Sequence, residues 1–369
     1  MRSSFPAPMV RLLHGRTGSF PYLALFVTVA LLCSCSGGNT SAAATSSCSP
    51  NFAPGSQALL LARDQSLYER NMRTGRECKL LDAPAGKFIT YPVWSPDGKQ
   101  FVYIVDAPFQ GDVTANWGDD MYIADDGGGN ARLLLQHDKP GVQYESPTFT
   151  PDGKTIIYSY FYTDYDSSGN YQGQVYEARR IAVDGTPSAD PGLPNVNGTN
   201  LCRDGSLMTY VDFDQTNLDS YGVWVSDANG QNARAVVTSV KDPQGNFQAY
   251  FAPTLSPDCK QIIFAAMGCS LRKLPGGPPS LFARALRLLA PQPAEAHGPP
   301  WDFWLVNVDG SGLQRVTHLN EDLPYPQWSD DGQSIVFVGT TGLFQMSPDG
   351  SNIKRIDNGA VHGQIAWRR

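Results

Sequence analysis

At 369 residues, with 41% apolar and 17% charged residues, the chain can bury a large core and is too poor in charge for a long helical protein. Its 36 glycines, 28 prolines and 11% aromatics match a fold of many strands and tight turns. The net charge of −7 becomes −10 once the first 34 residues are removed with Arg2, Arg11 and Arg16, which argues against nucleic acid or an anionic membrane surface as partner.

Basic residues precede an apolar run from Phe20 to Leu32, the length of a signal-peptide core and too short to span a bilayer. The following Leu32-Cys33-Ser34-Cys35 resembles the bacterial lipobox, a leucine, two small residues and a cysteine that is lipidated and becomes residue one. Cys35 fits that role, with Leu32 three before it and Ser34 just before it; Cys33 would put Leu32 in a small-residue position. Residues 1–34 are therefore expected to be a lipoprotein signal peptide, the rival being an ordinary cleaved signal. Residues 35–56 form a Gly/Ser/Ala-rich tether. With Ser36 rather than Asp after the anchor, a Gram-negative cell would hold the protein in the outer membrane, facing the periplasm.

Past the tether, Ala58 to Ala62, Ser66 to Asn71 and Glu77 to Leu81 have the pattern of three strands lacking a first. A longer unit then begins at Tyr91-Pro92-Val93-Trp94-Ser95-Pro96-Asp97-Gly98-Lys99, continues through the apolar run Phe101 to Val105, and adds Met121 to Asp125, a Gly-rich turn and Ala131 to Leu135. Pro96 presets φ, Asp97 bonds its own backbone and Gly98 takes the left-handed conformation, so the turn closes a hairpin. The unit recurs from Phe149-Thr150-Pro151-Asp152-Gly153, Leu201-Cys202-Arg203-Asp204-Gly205, Leu255-Ser256-Pro257-Asp258-Cys259 and Trp328-Ser329-Asp330-Asp331-Gly332. Each copy is four antiparallel strands, which is a propeller blade. The last segment, Gln364 to Trp367, supplies a first strand with nothing after it.

These observations predict an all-β, six-bladed β-propeller over 57–369, of four-stranded antiparallel blades, closed by pairing the C-terminal strand with the N-terminal ones. The five full turns, with a D-x-x-G turn later in each blade, resemble the repeat of the TolB-like family of periplasmic propellers. Two departures stand out: TolB carries an α/β domain before its propeller where a tether stands here, and TolB is not lipidated. The same blade type also occurs in prolyl-oligopeptidase-like peptidases and in some pectin lyases.

No catalytic residue is expected. The chain has no G-x-S-x-G elbow and no HExxH, and the carboxylates of Asp97, Asp152, Asp204, Asp258 and Asp331 are accounted for by the turns. His137, His297, His318 and His362 are scattered, so neither metal nor cofactor is expected; the alternative is a metal-dependent propeller enzyme of the polysaccharide-lyase type. The leading expectation is a monomeric scaffold binding a protein or peptide partner in the envelope, touching the membrane through its lipid only. Candidate contacts are Tyr91, Tyr144, Tyr250, Phe251, Tyr325 and His362, set just before the first strands as a funnel, or packed between blades. The 268–300 insertion in blade five adds a helix with Arg284 and Arg287. Cys202 and Cys259 occupy equivalent turns of neighbouring blades and Cys48 and Cys78 form a second candidate pair, the connectivity being open.

Overall fold

Alternation decides the architecture. In β1 (Ala58–Arg63), Leu59 and Leu61 point into one neighbouring seam and Leu60 and Ala62 into the other, and all four have no solvent exposure. A strand covered on both faces needs apolar residues at every position, and the second strand of each blade is such a strand. The computed structural model describes residues 57–63, 65–111, 117–166, 170–190, 192–214, 217, 219–238, 247–268, 301–319, 321 and 324–368. The segments expected to be signal peptide and tether, with Cys35 and Cys48, and nearly all of the insertion, with Arg284 and Arg287, lie outside them.

Blade 1 continues with β2 (Ser66–Asn71) and β3 (Glu77–Asp82). Blade 2 holds β4 (Phe88–Trp94), β5 (Gln100–Ala107), β6 (Gly118–Asp125) and β7 (Arg132–Leu135). Blade 3 holds β8 (Gln143–Phe149), β9 (Thr155–Tyr165), β10 (Tyr171–Ala182) and β11 (Leu193–Pro194). Blade 4 holds β12 (Val196–Leu201), β13 (Met208–Asp212), β14 (Gly222–Ser226) and β15 (Arg234–Thr238). Blade 5 holds β16 (Phe247–Leu255), β17 (Gln261–Gly268), β18 (Trp301–Asn307) and β19 (Gln314–Arg315). Blade 6 holds β20 (Tyr325–Trp328), β21 (Ile335–Gly339), β22 (Gly342–Met346) and β23 (Lys354–Asp357). The last strand, β24 (His362–Trp367), enters blade 1 in the order β24-β1-β2-β3, so the six-bladed propeller and its terminal closure are as expected. The described residues contain no helix.

The innermost strands touch in the cyclic order β24, β4, β8, β12, β16, β20 and back to β24. Buried apolar clusters fill the seams between consecutive blades. Closure is reinforced by charge. Arg368 pairs with Glu69 of β2 at 3.1 Å and with Asp126 of blade 2 at 2.9 Å, while Arg63 and Arg70 each bond both Glu77 and Asp357 across the junction of blades 1 and 6.

The repeated turn works as its composition implies. Ser95 donates to Asp97 at 2.8 Å and accepts from the Gln100 amide at 3.0 Å, while the Lys99 amide donates to Asp97. Thr150/Asp152, Ser256/Asp258 and Ser329/Asp331 repeat the hydroxyl contact. Cys202 and Cys259 are joined by a disulfide between the equivalent turns of blades 4 and 5, with Cα atoms 5.8 Å apart. Cys259 stands where the other turns have glycine and holds φ at 61°. Cys78 is also disulfide-bonded, whereas Cys48 and Cys269 lie outside the described residues.

Candidate functional site

The inner strands start earlier than a reading that stops strands at proline would have them. Each has one edge toward the axis, where a missing N–H is tolerated, so Pro92, Pro147, Pro253 and Pro326 lie inside β4, β8, β16 and β20. Five of the six also bulge. Tyr91, Ser146, Gly198, Ala252 and Gly363 are left-handed (φ 47° to 68°), and the ladder to the second strand slips beside each of them. At Gly363 the close approach is explicit, since a Cβ there would sit 3.1 Å from the Tyr91 amide nitrogen.

The aromatic residues expected to line a funnel therefore lie within the first strands and divide into two groups. Tyr91 of blade 2 and Tyr325 of blade 6 share a hydrogen bond of 2.5 Å between their hydroxyls, with ring centres 5.6 Å apart. Phe251 of blade 5 packs edge-on against Tyr325 at 4.6 Å. Blade 1 stands between blades 2 and 6, so this contact joins two blades that are not neighbours. Tyr144 and Tyr250 lie in the seams, each 2% exposed, and Tyr91 shares the cluster of Tyr144. Tyr144 meets Tyr158 at 5.4 Å and donates to the Gln136 carbonyl, and Tyr250 meets Tyr221 at 5.2 Å. Burial pushes the phenols of Tyr144 and Tyr221 up, the latter to about 12. His362 is half-buried at the start of β24.

Toward the Pro-Asp-Gly turns the axis widens into a cavity of about 70 Å³, to which Trp94, Thr148, Asn200, Thr254, Gln327 and Gln364 contribute one side chain per blade. Arg203 of blade 4 and Asp330 of blade 6, also on its wall, pair at 2.7 Å. Small-molecule sites usually enclose about 300–1,000 Å³, so this space suits a few waters better than a substrate.

Among the described residues no histidine joins a group able to hold a metal, and His297 lies outside them. His137 is buried, and its Nδ1 and backbone amide both contact Asp120 Oδ1, at 2.7 and 3.1 Å, whereas His318 is exposed. Among the described residues one trio of donors is close enough for a metal, Cys202, Asp204 and Cys259, and its two sulfurs are bonded to each other.

Sequence reasoning missed the side of the ring where second strands turn into third strands, in blades 2 to 4. Tyr160 donates to Asp138 at 3.2 Å and lies 3.4 Å beneath the Arg179 guanidinium, itself bonded to Glu177. Lys139 sits 3.2 Å over Tyr162. Beyond them Phe161, Tyr176 and Phe213 stack at 4.7 and 4.4 Å, joining blade 3 to blade 4. Phe109, Tyr165 and Tyr171 on this side are 42%, 44% and 52% exposed. The signal was the Tyr-rich stretch from Tyr158 to Tyr176, which passes for ordinary strand because tyrosine favours strands anyway.

No family model and no curated protein matches the sequence. Solved structures do share its fold. TolB from Acinetobacter baumannii superposes with a TM-score of 0.54 at 16% identity, over 86% of this chain and 67% of that one. A chain of a nidogen/laminin complex gives 0.54 at 14%, over 85% and 98%. A putative TolB from Agrobacterium tumefaciens gives 0.50 at 17%, over 84% and 92%. The fold is thus that of the TolB-type six-bladed propeller.

Proposed function

We propose that this TolB-type propeller is an envelope lipoprotein, anchored through Cys35, that serves as a docking scaffold for a protein or peptide partner rather than as an enzyme. The observation that carries the reading is how little space the described axial residues leave. Tyr91 and Tyr325 meet from blades that are not neighbours, and the cavity beyond them is too small for a polymer substrate. Recognition then falls to an outer surface, and the loop-bearing side of blades 2 to 4 has what recognition surfaces favour: exposed tyrosines on a rigid sheet scaffold, with charged groups around them. The lipobox-like sequence and the acidic composition support an envelope location with no direct adhesion to anionic lipid.

Two measurements test the reading. Cys35→Ser should move the protein from the membrane fraction to the soluble one; a variant that stays in the membrane removes the anchor. Affinity capture of the full chain from its own envelope, with and without Phe109→Ser and Tyr171→Ser, should recover a protein that the double variant loses. Equal recovery would show that the partner sits elsewhere.

A further inference from the structure

Among the described residues, the middle strands of blade 3 run furthest past both of their neighbours; those of blades 2 and 6 overshoot by a single pair, Ala107 with Gly118 and Gly339 with Gly342. β8 pairs with β9 no further than Phe161, and β11 pairs with β10 only at Glu177 and Ala178. The pairs from Tyr162 with Val175 out to Tyr165 with Tyr171 thus form a projecting two-stranded ribbon. Such a ribbon is marginal in water without a covering layer.

Its two faces are furnished differently. Cross-strand partners share a face, which puts Tyr160, Tyr162 and Val175 on one and Phe161, Tyr165, Tyr171 and Tyr176 on the other. On the first face the chain's own cations cover both tyrosines, Arg179 at 3.4 Å over Tyr160 and Lys139 at 3.2 Å over Tyr162. On the second, Phe161 and Tyr176 stack, while Tyr165 and Tyr171 lie edge to face at 6.5 Å and stay half exposed. From Thr155 to Ala178 the sequence contains Asp164, Asp166 and Glu177 and no lysine or arginine. The ribbon is acidic and aromatic, and its other face already shows what sits on its tyrosines.

We propose that this second face docks an extended, cationic peptide segment of a partner protein, whose lysine or arginine side chains lie on Tyr165 and Tyr171 as Lys139 and Arg179 lie on Tyr162 and Tyr160. The attraction is the cation over the ring face, within the field of a chain of net charge −7; Asp164, paired with Gly173, lies on the first face beside Tyr162. This inference rests on the scaffold reading and gives it a partner chemistry.

The test uses the full mature chain and a fluorescent peptide of alternating Lys and Thr, with a Glu-for-Lys counterpart as control. The lysine peptide should bind, weaken with rising salt, and bind roughly tenfold more weakly to the Tyr165→Ser/Tyr171→Ser variant, whose melting temperature should not move. Equal binding of both peptides, or an unaffected double variant, overturns the proposal. So does a dimer seen by sedimentation that the double variant abolishes, since the occupant would then be a second copy of the chain. Partner capture from the envelope that survives in the double variant overturns the ribbon alone and leaves the scaffold reading standing. Failure of the wild type to capture any partner counts against the scaffold, while the peptide titration still decides the ribbon.

Discussion

Tyr91 and Tyr325 lie 234 positions apart in sequence and on blades that are not neighbours, yet their hydroxyls meet at 2.5 Å. The contact requires a closed propeller narrow enough for inner strands to reach one another, and a bulge that turns Tyr91 inward.

Tyr91→Ala should therefore cost about 3–5 kcal/mol, the usual range for truncating a buried aromatic, and Tyr325→Phe about 1 kcal/mol for the hydrogen bond. Urea unfolding measures both. Partner capture should persist in each folded variant. If Tyr325→Phe abolished capture without loss of stability, recognition would lie on the axis after all.

Closure depends on Arg368, which approaches Glu69, a carboxylate with no solvent exposure. Removing one partner of a buried pair costs about 3–5 kcal/mol, because the other charge is stranded. Arg368→Ala should lose that much, and Glu69→Gln combined with it should recover part. Burial holds the Glu69 carboxyl above its ordinary value, so in Arg368→Ala the penalty is full above that raised value and fades as pH falls through it. A deficit that grew on acidification would contradict the assignment. Deleting residues from 364 onward should unfold the chain, since β1 would lose its inner partner.

The Cys202–Cys259 bond closes a loop of sequence separation 57, worth about 4 kcal/mol in the chain-entropy model. Replacing both residues by serine should lose most of that. Cys202→Ser with Cys259→Gly should lose about 1 kcal/mol less, because glycine tolerates the left-handed φ that a side chain resists. Identical melting temperatures for the two variants would mean that the backbone there relaxes.

Hydrogen bonds from Ser95, Thr150, Ser256 and Ser329 hold the carboxyls of Asp97, Asp152, Asp258 and Asp331 below their ordinary value near 3.8. The stabilisation is complete above that value and is lost as pH falls through the lowered folded ones. Thermal unfolding from neutral to strongly acidic pH should show a steep fall only below about pH 4. The Ser95→Ala/Ser329→Ala variant should fall less steeply; an unchanged slope would separate the turns from acid sensitivity.

The ring was legible because its signals are local. Every turn has Asp, and four of the five have Gly, at fixed offsets, and the second strands are largely apolar runs such as Phe101 to Val105. The terminal fragments matched because Ala58 to Leu81 lacked a first strand and Gln364 to Trp367 supplied one. The site was less legible. Pro92 and Pro253 disguised the inner strands, since proline is excluded from paired positions but not from an edge facing the axis. That Tyr91 would meet Tyr325 while Tyr144 packs in a seam depends on bulges that composition does not encode. The ribbon went unseen because its length beyond β8 and β11 is a property of its neighbours, not of its own residues.

The most direct test of the account is site-specific photocrosslinking in living cells. A photoreactive residue placed at Tyr171 or Phe109 on the loop-bearing side is compared with one at Lys99 or Lys354 on the turn side, all in the full chain. The scaffold reading predicts a discrete protein adduct from Tyr171 and Phe109 and none from Lys99 or Lys354. Adducts from the turn side alone would contradict it and move recognition to the cavity beside Arg203 and Asp330.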